Sequence, residues 1–269
     1  MPGEDRFSFG SRLKSVEELI GFGSRPPISL GQWQEKFRAM YGQRNAELNL
    51  SPSDIWLHLM EEAGELAADF RKEDYKKLWR DLPDVFAWLC AFANRTELLL
   101  EEVVWHKFPN VCPYCLKPES CSCIAENRSI MEDDALQQYR RKPYPETLDG
   151  WEEMFERIYG NVNTIQSSKG IGFHFMEEVS EVARELRREH HAELKNELAD
   201  VLAWLVAVYH RAQAHQSGKP TTLSACIWAI YPGKCDKCGS CPCECENKAR
   251  RKRRGSQPVE VQDQSSLPE

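Results

Sequence analysis

Apolar residues recur along this chain at helical intervals, and the same series occurs twice. Trp33, Phe37 and Tyr41 lie four apart and are followed by Gly42; Trp151, Phe155, Tyr159 and Gly160 repeat them 118 positions later. That spacing marks one face of an α-helix and makes the glycine its C-cap candidate. A second stripe, Leu59, Ala63, Leu66, Ala67 and Phe70, predicts a helix from about Pro52 to Arg71. Ser51 is its N-cap, Pro52 takes the first helical position and Asp54 lies in the first turn. A third helix, about Tyr75 to Thr96, carries Leu78, Leu82, Val85, Phe86, Leu89 and Phe92. Leu194, Leu198, Val201, Leu202, Leu205 and Val208 copy it 116 positions on. A short fourth helix, about Glu97 to His106, ends at Phe108-Pro109, and its counterpart from Leu223 to Ile230 ends at Tyr231-Pro232. No segment alternates with the period of two that a strand requires. The expected fold class is all-α. Two tandem helical-bundle repeats are expected, each with a small Cys-rich metal-binding loop.

The pattern also divides the chain. Residues 1–30 read as a mobile arm with one apolar patch, Val16 to Ile20. Repeat one covers 31–126 with a zinc loop at 112–123. A polar linker with Pro143 and Pro145, with room for one short helix, occupies 127–149. Repeat two covers 150–247 with a zinc loop at 235–245, and a basic then polar tail at 248–269 is expected to be disordered. A length of 269 residues suits two units of about 100 residues each. A mean hydropathy of −0.59 and the lack of an apolar run of membrane length argue against a spanning helix. The N-terminus lacks the basic-then-apolar order of a signal peptide, so the expected location is cytoplasmic. A net charge of −7 and pI near 5.6 speak against the whole chain as a nucleic-acid binder. Only the basic run Lys248–Arg254 leaves RNA or acidic partners open.

The repeated helices carry chemistry as well as core. His58 opens H-L-M-E-E-A-G-E and Asp81 opens D-L-P-D-V-F-A-W; His174 opens H-F-M-E-E-V-S-E and Glu197 opens E-L-A-D-V-L-A-W. Residues three apart share a helix face. Glu62 and Glu65 therefore project together, as do Asp81 and Asp84, and antiparallel packing can bring both pairs to one place. Glu178, Glu181, Glu197 and Asp200 repeat the arrangement. Two like charges about 5 Å apart at an effective dielectric of about 20 repel by roughly 3 kcal/mol. A converged quartet needs a counter-charge or protons, and an all-oxygen ligand set favours Mg²⁺ or Mn²⁺ over zinc.

E-E-V-S-E followed by E-L-A-D resembles the ExxE…ExxD signature of the MazG-like all-α NTP pyrophosphohydrolases. The resemblance covers about 90 residues of each repeat. It implies Mg²⁺-dependent hydrolysis of a nucleoside triphosphate to the monophosphate and pyrophosphate. It assigns catalytic metal binding to Glu178, Glu181, Glu197 and Asp200, and further metal binding to Glu62, Glu65, Asp81 and Asp84. It also likens Lys107, just before Phe108-Pro109, to a phosphate-binding lysine; Ile230 replaces it in repeat two. Members form dimers in which partner helices complete the pocket, so a tandem chain can supply both halves itself as a pseudo-dimer, with further self-association left open. Repeat one departs from the signature at Asp81, a shorter ligand than Glu, and at Pro83, which is tolerable near a helix start. His58 and His174 lie one turn before the acidic residues and are candidates to contact substrate. Trp88 and Trp204 suit the core better than base stacking. Lys36, Arg38 and Arg157 suit solvated surface better than phosphate binding. The rival to an enzyme is a catalytically silent nucleotide sensor or zinc-dependent adaptor on the same fold.

Nine of the eleven cysteines fall in two clusters: Cys112, Cys115, Cys121 and Cys123, then Cys235, Cys238, Cys241, Cys243 and Cys245. Four thiolates in close pairs match tetrahedral structural zinc, with an iron–sulfur cluster, disulfides or unliganded thiols as rivals. Five cysteines compete for four places in the second cluster. The loops follow the last helix of each repeat and either clamp its end or offer a partner surface. Cys90 and Cys226 sit among apolar residues and belong to the core.

Overall fold

The computed structural model describes residues 26–123, 131, 133–215 and 222–246. The apolar patch from Val16 to Ile20 and the basic tail lie outside the described residues. Those residues form nine α-helices and no strand. Repeat one contributes α1 (Leu30–Glu47), α2 (Pro52–Lys72), α3 (Tyr75–Arg95) and α4 (Leu100–Lys107). A short α5 (Asp133–Arg140) follows, within the segment read as a linker. Repeat two contributes α6 (Leu148–Ile165), α7 (Ser168–Arg188), α8 (His191–Ala214) and α9 (Leu223–Ile230). Helices α1 and α6 continue past Gly42 and Gly160, to Glu47 and Ile165, so neither glycine is the C-cap that the sequence suggests.

Local signals explain where the acidic helices begin and end. Ser51 and Asp54 form a capping box at the start of α2, and Ser167 accepts from the Gly170 N–H at the start of α7. Glu73 and Glu189 end α2 and α7 in the left-handed conformation, at φ of 57° and 59°, 116 positions apart. The chain then reverses at once, so α2 packs on α3 and α7 on α8. Trp33, Phe37, Leu59, Leu66, Val85, Leu89 and their copies are buried in a single core that runs through both repeats.

The repeats pair through α2 and α7, and α3 also meets α8. The Trp56 indole N–H donates to the Val179 carbonyl at 3.0 Å across the join. The residue equivalent to Trp56 is Gly172, where an added Cβ would meet the Phe70 ring at 3.4 Å. The join is thus two-fold in outline but asymmetric in side chains.

The terminal helices are exchanged. Helix α4 starts on its own α1, where Gln34 accepts from the Leu100 N–H, but packs along α8 of the other repeat. Helix α9 starts on its own α6, where Glu152 accepts from the Leu223 N–H at 2.8 Å, but packs along α3. The aromatic contacts follow the exchange: Trp105 meets Trp151 and Phe108 meets Phe155, while Trp228 meets Trp33 and Tyr231 meets Phe37.

Pro83 lies two turns inside α3, not near its start as the sequence suggests. Proline cannot donate to the carbonyl four residues back, that of Trp79. The exchanged α9 supplies a donor: the Cys226 thiol lies 3.5 Å from the Trp79 oxygen in the buried interior. Cys90 and Cys226 are both buried.

Candidate active site

The two acidic sets, alike in sequence, differ in geometry. In repeat two, one carboxylate oxygen from each of Glu178, Glu197 and Asp200 lies within 4.8 Å of the others. Helix α7 presents Glu178 and the antiparallel α8 presents Glu197 and Asp200. Glu181 stays outside this trio, paired with Arg184 at 2.9 Å; Arg184 also reaches Glu185 at 2.6 Å and Glu197 at 3.7 Å. Lys107 comes across on the exchanged α4. Its ammonium is buried, forms an ion pair with Asp200 and lies 3.3 Å from the Asn196 carbonyl.

The electrostatics follow from this crowding. Burial and then the Asp200 charge push Glu178 up to about 8. Burial pushes Glu197 up to about 7, with Lys107 opposing and Asp200 adding to the rise. Burial likewise raises Asp200, against the pull of Lys107. One lysine does not offset three carboxylates. An all-oxygen trio of this size fits a small hard divalent cation, which would replace the protons.

Repeat one does not close in the same way. Among the described residues Glu62, Glu65, Asp81 and Asp84 form no such group. Asp81 turns toward Asp69, and one buried oxygen of each takes no other hydrogen bond. Burial, then that contact, pushes Asp81 up to about 7. Asp84 accepts a hydrogen bond from the Tyr231 hydroxyl of the exchanged helix end, and the charge of Lys237 acts on Glu62 and Asp84. Ala68 stands where repeat two has Arg184, so the arginine that organises the second set is missing from the first.

The cysteines converge as two groups of four: Cys112, Cys115, Cys121 and Cys123, and Cys235, Cys238, Cys243 and Cys245. Cys241 is exposed and stands apart, which resolves the competition for four places. Sulfur separations of 3.5 and 3.8 Å in the first group and 3.6 to 3.9 Å in the second are far too long for disulfides. They match the edge of about 3.8 Å expected of a tetrahedron with metal–sulfur bonds of about 2.3 Å. The donor set and its size therefore fit a tetrahedral metal ion.

Each Cys-rich loop crosses with its helix to the opposite repeat. The Cys121 N–H donates to the Ile158 carbonyl of α6 at 2.8 Å, and the Cys243 N–H donates to the equivalent Met40 carbonyl of α1 at 2.8 Å. Arg157 holds the first loop through Asn110 and the Pro118 carbonyl, and Lys36 is buried beside Gly233 of the second. These two cations, read as surface charges, tether the loops. Arg38 pairs with Glu35.

The first loop walls a cavity of about 830 Å³ whose lining includes Tyr114, Tyr159, His174, Glu178, Asp200 and Trp204. That volume suits a ligand of nucleotide size. His58 and His174 each hydrogen-bond a nearby glutamate, Glu61 or Glu177, at 3.0 Å and lie flat on a tryptophan, Trp88 or Trp204. Trp88 and Trp204 are half-buried and pack against the core, as the sequence suggests. The sequence reading missed Arg184, Tyr231, Tyr114 and Lys237. Arg184 had a signal, its place one turn after Glu181; the others act across the exchange, where linear spacing carries none.

The family model for the MazG nucleotide pyrophosphohydrolase domain matches residues 50–116 and again 166–220, spanning both acidic sets. No curated protein and no solved structure matches the chain. The family model matches twice, once on each of two all-α repeats that share one core, so the chain carries a tandem pair of MazG-like domains.

Proposed function

We propose that repeat two is the catalytic unit of a Mg²⁺-dependent pyrophosphohydrolase that converts a (d)NTP to the (d)NMP and pyrophosphate, with repeat one acting in support. The convergence of Glu178, Glu197 and Asp200 carries this reading. These three would hold Mg²⁺ (or Mn²⁺), which supplies a Lewis acid for phosphate oxygens and a more acidic bound water. Glu181, outside the trio and oriented by Arg184, is positioned to take the proton of a water attacking the α-phosphorus. Lys107, buried and delivered by repeat one, turns its charge from Asp200 to the phosphates once a cation occupies the carboxylates. The opposite repeat therefore supplies the phosphate contact, and His174 borders the same cavity. Repeat one, with Asp81 turned to Asp69 and Asp84 held by Tyr231, is read as non-catalytic. The two cysteine groups are read as structural zinc, since all four ligands are thiolates and leave no open position.

The ion pair between Lys107 and Asp200 favours one second reading, a nucleotide sensor without turnover. One assay separates the two: pyrophosphate and phosphate release from the eight common NTPs and dNTPs with Mg²⁺. Pyrophosphate release is expected from wild type and from Glu65→Gln. It should fall by roughly 100-fold or more in Glu178→Gln and Asp200→Asn. Binding without release would establish the sensor.

A further inference from the structure

The two crossed loops share a turn. Cys112-Pro-Tyr-Cys115 and Cys235-Asp-Lys-Cys238 stand in register, so Tyr114 and Lys237 hold the same place in the two knuckles. Each knuckle closes in the same way, with the Leu116 N–H on the Cys112 carbonyl and the Gly239 N–H on the Cys235 carbonyl. Each faces the carboxylates of the opposite repeat. Lys237 acts on Glu62 and Asp84, where Tyr231 already bonds Asp84. The Lys237 charge opposes the rise that burial imposes on both carboxyls. Tyr114 lines the 830 Å³ cavity together with Glu178, Asp200 and Trp204. It is only partly buried, and among the described residues its hydroxyl takes no hydrogen bond. An aromatic ring therefore replaces a cation at the loop position facing the one carboxylate set that converges.

Phosphates drawn to the carboxylate end of this cavity leave the nucleoside to lie along its aromatic walls. Trp204 has one face covered by His174, at 4.7 Å between ring centres. A purine or pyrimidine offers a π-face to Tyr114 whatever its hydrogen-bonding edge, and such stacking tolerates different bases.

We propose that the four-cysteine loop of repeat one is the nucleoside-binding wall of the repeat-two site, with Tyr114 as the residue that contacts the base. A metal shared by its four cysteines would fix the loop, so removal of that metal should weaken nucleotide binding without touching the carboxylates.

This inference rests on the reading of repeat two as a nucleotide site, and binding tests it apart from turnover. Calorimetry on the full chain with Mg²⁺ would compare an α,β-methylene dNTP, which cannot be cleaved at that position, with inorganic pyrophosphate. Tyr114→Leu is expected to weaken the analogue about tenfold. Tyr114→Phe and Tyr114→Trp should stay within about threefold of wild type, since both keep a π-face. Pyrophosphate, which lacks a base, should bind all four proteins alike. Thiol-metal content, measured on each sample, shows whether the loop is intact; if Tyr114→Leu loses metal, the Phe-to-Trp comparison decides, with analogue affinity in Tyr114→Trp expected to equal or exceed that in Tyr114→Phe because its π-face is larger. Unchanged analogue binding in Tyr114→Leu with metal retained, weaker binding in Tyr114→Trp than in Tyr114→Phe with metal retained in both, or a parallel loss of pyrophosphate overturns the proposal. Analogue bound by wild type without turnover of true dNTPs overturns the hydrolase reading alone; no binding of analogue by wild type overturns both.

Discussion

Lys107 and Asp200 form the charged contact on which both readings of the site turn. Burying two opposite charges costs solvation, and the pair stays worthwhile only while each faces the other. Lys107→Met should lower pyrophosphate release by about 100-fold under the hydrolase reading, measured as kcat/KM. A variant as active as wild type would remove Lys107 from the site. The carboxylates themselves predict a pH dependence. Glu178 and Glu197 have their ordinary value of 4.5 raised to about 8 and about 7 in the fold. They bind protons more tightly folded than unfolded, so their contribution is fully present below pH 4.5 and is lost as pH rises to about 8. The metal-free Tm should fall across that window. Mg²⁺ should raise the Tm more at pH 8 than at pH 6, because the carboxyls must shed protons to bind it. A Tm indifferent to pH and to Mg²⁺ would mean that these side chains do not converge in solution.

At the scale of elements, α3 and α9 are matched by a defect and its repair. Pro83 leaves the Trp79 carbonyl without its helical partner, and Cys226 offers a thiol from the exchanged helix. Repeat two has Ala199 at the equivalent of Pro83 and needs no such donor. A double-mutant cycle tests the match by denaturant unfolding. Cys226→Ala should cost about 1 kcal/mol more with Pro83 present than in a Pro83→Ala background, where the amide N–H returns. Additive effects would reduce the contact to simple packing. The short helices also explain the loops. Each terminal helix is anchored at its start to its own repeat and at its end to the other, so a loop that follows directly must land on the opposite carboxylates.

For the whole molecule, the exchange makes one repeat incomplete. A fragment of residues 146–246 would expose the face of α8 that α4 covers in the full chain. Such a fragment should dimerise, using α9 of its partner in place of α4. Ile230 would then stand where Lys107 does, and pyrophosphate release should fall by about 100-fold although every carboxylate of the trio is present. Light scattering gives the mass and the same assay gives the rate. A monomeric, fully active fragment would contradict a cross-repeat site. Joining both halves in one chain frees each copy to specialise, since one chain keeps a lysine-bearing helix beside a convergent trio without a symmetric partner diluting either.

The eight helices of the two repeats, their order and their buried faces were legible in the chain itself, because helical periodicity and caps are local. Ser51 with Asp54, the stripe from Leu59 to Phe70, and the constant offset between copies needed no tertiary information. The two cysteine clusters were legible as well, because their spacing is local, but the odd cysteine of the second was not; only folding set Cys241 aside. Pairing decided the rest. Two nearly identical acidic patterns became one converged trio and one dispersed set because Arg184 and Lys107 reach the first, while Asp69 and Tyr231 draw apart the second. Arg184 and Asp69 lie on the acidic helices themselves, within reach of helical spacing, but Lys107 and Tyr231 come from the other repeat, at separations that no periodicity encodes. Local spacing thus determined what each helix offers, and the exchange of α4 and α9 decided which offers meet.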